Sequence, residues 1–446
     1  MTTTPQPVPP LPPASPTKPL SWSWHERIDE IAEPWQRCFG TTEVMRCLPL
    51  HRAVERSHLQ EVVFHYLVGT DEQGAACVAP CFAFRVSLVS VASAWVQRLV
   101  GWVRKAVPGF LQVRLFVVGS PISTCGDMLG LRELEVPGRW DHGRFTALFD
   151  QVTAKARELR IGLVLIKELE QALVDRLKPA LEGRFLIVDS LPTTYVPIAP
   201  REQGGYEGSI RSKYRNKLKK RKAVGAEHGL TWEIQPHCRG QEAEVFRLYQ
   251  QVIEHSHVVF EQLNQDFFLQ VPEQLGAQAC YLLGYKGQGD GRTLVASELV
   301  IADHTLIHPL YSGFDYWLKR DSDLYFNTFY AIIEEAERRG FARVHIGQTA
   351  YEVKAELGAT CVPLFLAVHH RWAVGRFALR LLRSLLFPST TYPVREVFNE
   401  PKPIKKRRKP QVSSAIPIVD ARAEEAPAEG GGGEAPAAGT TRNQVP

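Results

Sequence analysis

Polar and ionisable residues gather between Tyr311 and Val368 at positions where plain packing would not place them. Asn327, His345, Gln348, Tyr351 and Lys354 fall at the ends of expected strands and helices. Element ends are where α/β scaffolds keep their chemistry. Lys354 precedes a tight bend at Gly358, and a lysine on such a turn can hold an anionic group or meet a developing oxyanion. Upstream, Glu298 interrupts an apolar strand beside Leu299, Val300 and Ile301, so it either faces solvent or is retained as a buried polar group. His308 and Tyr311 end the next strand, and Asp315 follows. His257 and Glu261 lie four residues apart near a helix end. They either share a face as a carboxylate-oriented imidazole, a candidate general base, or merely cap the helix.

A second constellation is electrostatic. The segment from Gly208 to His228 reads as a helix carrying Arg211, Lys213, Arg215, Lys217, Lys219, Lys220, Arg221 and Lys222. Ile210, Tyr214 and Leu218 recur every four residues, so one narrow stripe packs and the rest is positive. Such a helix is either a solvated surface or a face that recognises anions, with Arg211, Lys213, Arg215 and Lys217 the first candidates. Phosphates of coenzyme A, acidic lipid headgroups and transfer RNA are the candidate ligands. Two further stretches suggest a membrane surface. The run WAVGRFALRLLRSLLF (372–387) sets Arg376, Arg380 and Arg383 among apolar residues, a pattern of interfacial helices, and the basic run KPIKKRRK (402–409) follows it. An apolar insertion at 85–112 carries Trp95 and Trp102 and could form a lid. Packing of both stretches on the body is the competing reading.

The elements that would position these groups form two successive α/β segments. The expected organisation is a Pro-rich tail (1–20), a first domain (21–202) containing the insertion, and a second domain (203–371). An amphipathic helix (372–400) and a basic, Ala/Glu/Gly/Pro-rich tail (401–446) complete it. The first domain should open on a helix containing Trp24 and Ile28. Strands are expected at Glu61–Gly69, Ala75–Phe84, Val113–Val118, Gly162–Lys167 and Arg184–Val188. The second repeats the order, with strands at Thr231–Gln235, Ala279–Gly284, Thr293–Ile301, His304–Tyr311 and Arg343–Gly347, and a helix at Tyr325–Gly340. The fold class is therefore mixed α/β (α+β), as two copies of one small unit.

Composition excludes several classes. A net charge of +5 over 446 residues is too small for a chain that binds nucleic acid along its whole length. Cys77 and Cys81 form a C-x3-C pair without a second pair, so the eight cysteines read as buried thiols in a reducing cytosol, and no metal ligand is assigned. No secretory signal and no uninterrupted apolar window of membrane-spanning length is found. A cytoplasmic protein, peripheral on the inner face of the membrane, is expected.

The basic helix SIRSKYRNKLKKRKA and the block YSGFDY…LYFNTFYAIIEEAERRG…HIGQTAYEVKAELGA resemble GNAT-like acyltransferases of the Fem (FemAB-like) type. The resemblance implies tandem N-acyltransferase folds and a splayed strand pair that admits an acyl thioester. It also implies substrate contacts at Tyr311, Gln348, Tyr351 and Lys354. The Q/R-x-x-G-x-G/A pyrophosphate loop of acetyl-coenzyme A enzymes is absent, and GYKGQGDGR (284–292) reads as a hairpin turn. Acyl-coenzyme A, acyl carrier protein and aminoacyl-tRNA remain open as donors, with no cofactor held permanently. The expected activity is N-acylation of an amine, with His257 and Glu261, or Glu298, as base and Lys354 at the carbonyl. The apolar stretches favour a lipid-like acceptor such as a sphingoid base. The alternatives are an aminoacyl-tRNA-dependent transferase acting on a peptidoglycan precursor, and a non-catalytic membrane-associated scaffold.

Overall fold

The computed structural model describes residues 18–399 apart from 41–42, 88–111, 257–261, 319–320, 388–391 and scattered positions between 125 and 138. Most of the expected lid (85–112), the basic run and nearly all of both tails lie outside the described residues.

Apolar strands build two sheets. The first contains β1 (Ser21–His25), β2 (Val63–Asp71), β3 (Gly74–Ser87), β4 (Gln112–Val118), β5 (Gly130–Leu131), β6 (Leu163–Leu169) and β7 (Leu186–Asp189). The second contains β8 (Thr193–Pro197), β9 (Leu230–Gln235), β10 (Ala279–Lys286), β11 (Thr293–Ala302), β12 (Leu306–Phe314), β13 (Arg343–Gly347) and β14 (Thr360–Val362). A last strand, β15 (Phe365–His370), returns to the first sheet and inserts between β6 and β7. In each sheet a single parallel pair, β4/β6 and β12/β13, interrupts antiparallel neighbours. The same arrangement is thus used twice, as the repeated element order requires.

Strand membership does not follow a cut at residue 203. β8 lies before that point yet pairs with β13 and β14, and β15 comes from the second half yet pairs with β6 and β7. The exchange knits the halves together. Helices α1 (Ala32–Phe39), α2 (Leu48–Arg56), α3 (His142–Glu158) and α4 (Gln171–Leu181) belong to the first half. Phe145, Leu148, Phe149 and Val152 of α3 join Leu173 and Leu177 of α4 on one face of the first sheet. Its other face presents Phe82, Leu115 and Val117, with Phe84 and Leu165 beside them.

In the second half α5 (Gly205–Ser209) and the basic α6 (Ser212–Glu227) precede α7 (Glu242–Glu254), α8 (Gln265–Leu275), α9 (Leu324–Arg339) and α10 (Tyr351–Glu356). Leu218 of α6 and Phe329 and Ile333 of α9 cover one face of the sheet. Leu248 of α7 and Phe267 and Phe268 of α8 cover the other.

Several expectations are corrected. Residues around Trp24 form a strand, because SWSWH alternates with period two and pairs with β2, packing Trp22 and Trp24 against the core. Lys354 sits on the short helix α10, where Leu357 and Ala355 pack inward. The amphipathic segment does not run to residue 400. It ends after α11 (Ala373–Leu381) and α12 (Arg383–Leu386), and residues 392–399 return as an extended strap. Val397 O accepts the Arg211 amide, and Arg395 pairs with Glu352 and Glu356.

Candidate functional site

β12 is paired along its length with β11, but it meets β13 only at Leu306–Arg343 and Ile307–Val344. Beyond that point β12 continues to Phe314 and β13 to Gly347, so the two strands part. This is the splay that the family resemblance implies. The next residue on each strand is a buried histidine. His308 Nδ1 and His345 Nδ1 lie 2.8 Å apart, so one ring donates and the other accepts. His345 Nε2 lies 2.5 Å from Thr193 Oγ1, while His308 Nε2 is 3.9 Å from Asp303 Oδ2. Burial, with the charges of His308 and Lys354 adding to it, holds His345 well below the ordinary imidazole range, so it is neutral at neutral pH. Burial opposes ionisation of Asp303, but His308 and the Thr305 and Leu306 amides outweigh it and hold the carboxyl well below its usual range. The pair bridges the two strands at the fork of the splay.

Glu298 stands on β11, opposite Ser312 of β12. It is buried, not solvent-facing, and neither carboxylate oxygen has a hydrogen-bond partner among the described residues. Burial pushes its pKa up to about 8, with the nearby Ser312 hydroxyl and Lys354 charge pulling the other way. Lys354 is also buried. Its Nζ donates to the Gln348 carbonyl, and burial lowers its pKa to about 7 against the opposing charge of Glu298. A carboxyl raised and a lysine lowered toward neutrality form an acid–base couple suited to proton transfer.

The loop joining β13 to α10 is conformationally strained. Gly347, Thr349 and Ala350 all adopt positive φ, at 66°, 62° and 49°, and only the first is glycine. Such strain persists where the surroundings enforce it, as at functional sites. Gln348 is pinned between these residues: its Nε2 donates to Leu191 O at 2.9 Å and approaches Glu168 Oε1 at 3.5 Å. The Tyr351 hydroxyl donates to Pro192 O.

Gln348 also lines a pocket of about 470 Å³ against the first sheet. Phe82, Phe84, Val117, Leu165 and Leu366 give it an apolar wall. At the end nearest Gln348 stand Ser123, Thr124, Lys167 and Glu168, where β4 and β6 finish. Lys167 Nζ donates to Ser120 O and Ser123 O and lies 3.3 Å from Glu168. The carboxyl ends of β4, β6 and β13 therefore converge on one cavity, the usual place for a ligand in open α/β sheets. Lys167 and Glu168 were not singled out from sequence. The signal available was the polar Lys-Glu at the end of an apolar strand, matching Gly-Gln at the end of β13.

The remaining sequence candidates are placed as follows. Asn327 ties α9 to α6: its Nδ2 donates to Arg221 O, Ser322 O and Asp323 O. Asp315 accepts the amides of Trp317 and Leu318, closing a turn. Tyr311 is half-buried, edge-on to Tyr249 and Phe267 on the α7/α8 side. None of the three lines the pocket. His257 and Glu261 lie outside the described residues. The eight cations of α6 and its approach are largely compensated from within. Arg211 pairs with Glu396, Lys217 and Arg221 with Glu356, Lys219 with Glu207 and Lys222 with Glu334. Arg215 instead caps the carbonyls of Glu207, Gly208 and Ile210. Among the described residues, Lys213 and Lys220 have no carboxylate partner, so the helix does not by itself require an external anion.

Comparison with known proteins agrees with this geometry. Residues 212–355 match the family model described as an acetyltransferase (GNAT) domain, a stretch that contains both Glu298 and Lys354. Among solved structures, FemX aligns with a TM-score of 0.50 at 9% identity, covering 81% of this chain and 99% of that one. L-PGS from Bacillus licheniformis aligns at 0.47 and 11% identity, covering 81% and 97%. A tandem GNAT protein from the clavulanic acid biosynthesis pathway aligns at 0.47 and 9% identity, covering 79% and 98%. No curated protein sequence matches the chain. Residues 212–355 therefore form a GNAT-type acetyltransferase domain, and the fold of the chain, with its arrangement repeated in the first half, is similar to that of FemX.

Proposed function

We propose that the protein transfers an acyl group from a coenzyme A thioester to the primary amine of a lipid-like acceptor such as a sphingoid base, giving a ceramide-type amide. One observation carries the reading: a buried, unpartnered carboxylate, Glu298, stands with a buried lysine beside a strand splay inside the matched GNAT domain. The amine nitrogen attacks the thioester carbonyl and a C–N bond forms. Glu298, as carboxylate, takes the proton that the amine loses. Lys354 Nζ donates to the developing oxyanion, then gives a proton to the departing thiolate as the C–S bond breaks. Gln348 holds Lys354 through its carbonyl, and the His308–His345 hydrogen bond ties β12 to β13 at the point where they part. An acyl carrier protein thioester would deliver the same group to the same place. The two halves, 21–202 and 203–371, act together because each contributes a strand to the other.

An aminoacyl-tRNA donor is disfavoured by the internal pairing of the α6 cations. A non-catalytic scaffold leaves the desolvation of Glu298 without a purpose. The full chain, incubated with palmitoyl-coenzyme A and a long-chain amine, should yield the N-acyl amide by mass spectrometry together with one equivalent of free thiol. Thiol release without amide, or no reaction with any acyl thioester, would overturn the proposal.

The same reading places the enzyme on the cytoplasmic face of a membrane. No described helix is long and apolar enough to cross one. However, α11 and α12 turn Phe377, Leu381 and Leu385 outward, 67%, 69% and 75% exposed. Arg376 and Arg380 fold back instead, onto the carbonyls of His370, Arg371 and Gly183. The face presented is apolar. The protein should co-sediment with anionic vesicles, and Phe377→Asp with Leu385→Asp should cut the bound fraction roughly tenfold or more. Equal partitioning of the double variant and parent would remove α11 and α12 from the argument.

A further inference from the structure

We infer that the pocket on the first sheet binds the acceptor, with the hydrocarbon tail on the Phe82–Phe84–Val117–Leu165–Leu366 wall and the ammonium group at Glu168. The inference rests on the acyl-transfer reading and names which half of the molecule holds which substrate. Its basis is the shape and polarity of the cavity. The wall is built from side chains of β3, β4, β6 and β15 on the sheet face opposite α3 and α4, with Lys167, Glu168 and Gln348 at one end and Glu61 and Arg85 on the rim toward a second cavity. A second cavity of about 340 Å³ shares Glu61, Phe84 and Arg85 with the first and carries the groove on toward Arg114. An elongated groove with an apolar middle and a buried carboxylate at one end fits an amphiphilic amine whose tail runs toward the Glu61–Arg85 rim.

The polar end selects the sign of that head. Glu168 is buried, and its φ of 58° is a left-handed conformation that a non-glycine residue rarely adopts at a strand end. Its carboxylate lies beside Lys167 and within reach of the Gln348 amide. Gln348 is also the residue whose carbonyl holds Lys354. An amine held at Glu168 therefore lies next to the Gln348 loop, whose carbonyl holds Lys354, while the thioester would enter through the splay of the other sheet. Donor and acceptor approach from different sheets and meet at Gln348.

Isothermal titration of the full chain with butylamine, octylamine and dodecylamine, below their micellar concentrations, tests this directly. Affinity should rise with chain length by roughly fourfold per methylene until the groove is filled. Leu165→Trp and, separately, Leu366→Trp should flatten that dependence. Glu168→Gln should weaken every amine by a similar factor and leave the chain-length slope intact. Affinity independent of chain length overturns the inference, and the wild-type series decides this even if a variant misfolds. Dodecanoate binding as tightly as dodecylamine also overturns it, since Glu168 would then not be reading the head. The two readings fail separately. Chain-length-dependent amine binding with no acylation overturns the proposed activity alone, whereas acylation insensitive to amine length overturns this inference and the lipid character of the acceptor but leaves acyl transfer standing.

Discussion

Glu298→Gln should lower the rate of acyl transfer by roughly 10²–10⁴-fold, the range expected when a general base is removed. The substitution keeps the size of the side chain and changes only its ability to take a proton. Parent kcat/KM should rise with pH through about 8, because burial raises the Glu298 pKa to that value and only the carboxylate can accept the amine proton. Free amine also becomes more abundant as pH rises, so the parent profile alone does not isolate Glu298. The comparison does. In the glutamine variant the limb near pH 8 should vanish, leaving a shallow profile set by the amine itself. A variant of full activity, or one that keeps the inflection near pH 8, would exclude Glu298 as the base.

The strands, their order and the doubled α/β architecture were legible in the sequence because apolar runs of strand length are bounded by turns in both halves. The exchange of β8 and β15 was not. Nothing in the sequence of Thr193–Pro197 or Phe365–His370 assigns either to a sheet, and only the packed structure selects a partner. Glu298 was visible as a carboxylate in an apolar run, but every residue of β11 after Thr293 is buried, so alternation could not say which way it points. The charge on α6 was visible without its compensation. Glu334 and Glu356 lie more than 100 positions along the chain from Lys222 and Arg221, and no local pattern announces those pairings. Asn327 and Asp315 looked functional for a related reason. Polar residues near element ends serve backbone capping as readily as catalysis, and only the hydrogen bonds distinguish the two.

Lys354→Met should separate function from stability by moving them in opposite directions. Activity should fall by roughly 10²–10³-fold if Nζ meets the oxyanion. Stability should rise at neutral and mildly acid pH. Burial lowers the Lys354 pKa from 10.5 to about 7, so between those values the unfolded chain binds more protons than the folded one. Wild-type stability attributable to this residue therefore increases as pH climbs from 7 toward 10.5, and its full cost is felt below 7. Glu298 contributes with the reverse slope. Its pKa rises from 4.5 to about 8, so the folded state binds the extra proton and stability declines across that window. Together they place a shallow minimum of stability near pH 7–8. Methionine removes the lysine part, so its advantage over the parent should be largest at or below pH 7 and shrink as pH approaches 10.5. The lost hydrogen bond to the Gln348 carbonyl subtracts about 1 kcal/mol at every pH without changing the slope. Denaturant melts of both proteins from pH 6 to 10 read that difference directly. A structural lysine would lose stability and activity together. A catalytic one, retained at the expense of the fold, should yield a more stable and nearly inactive protein.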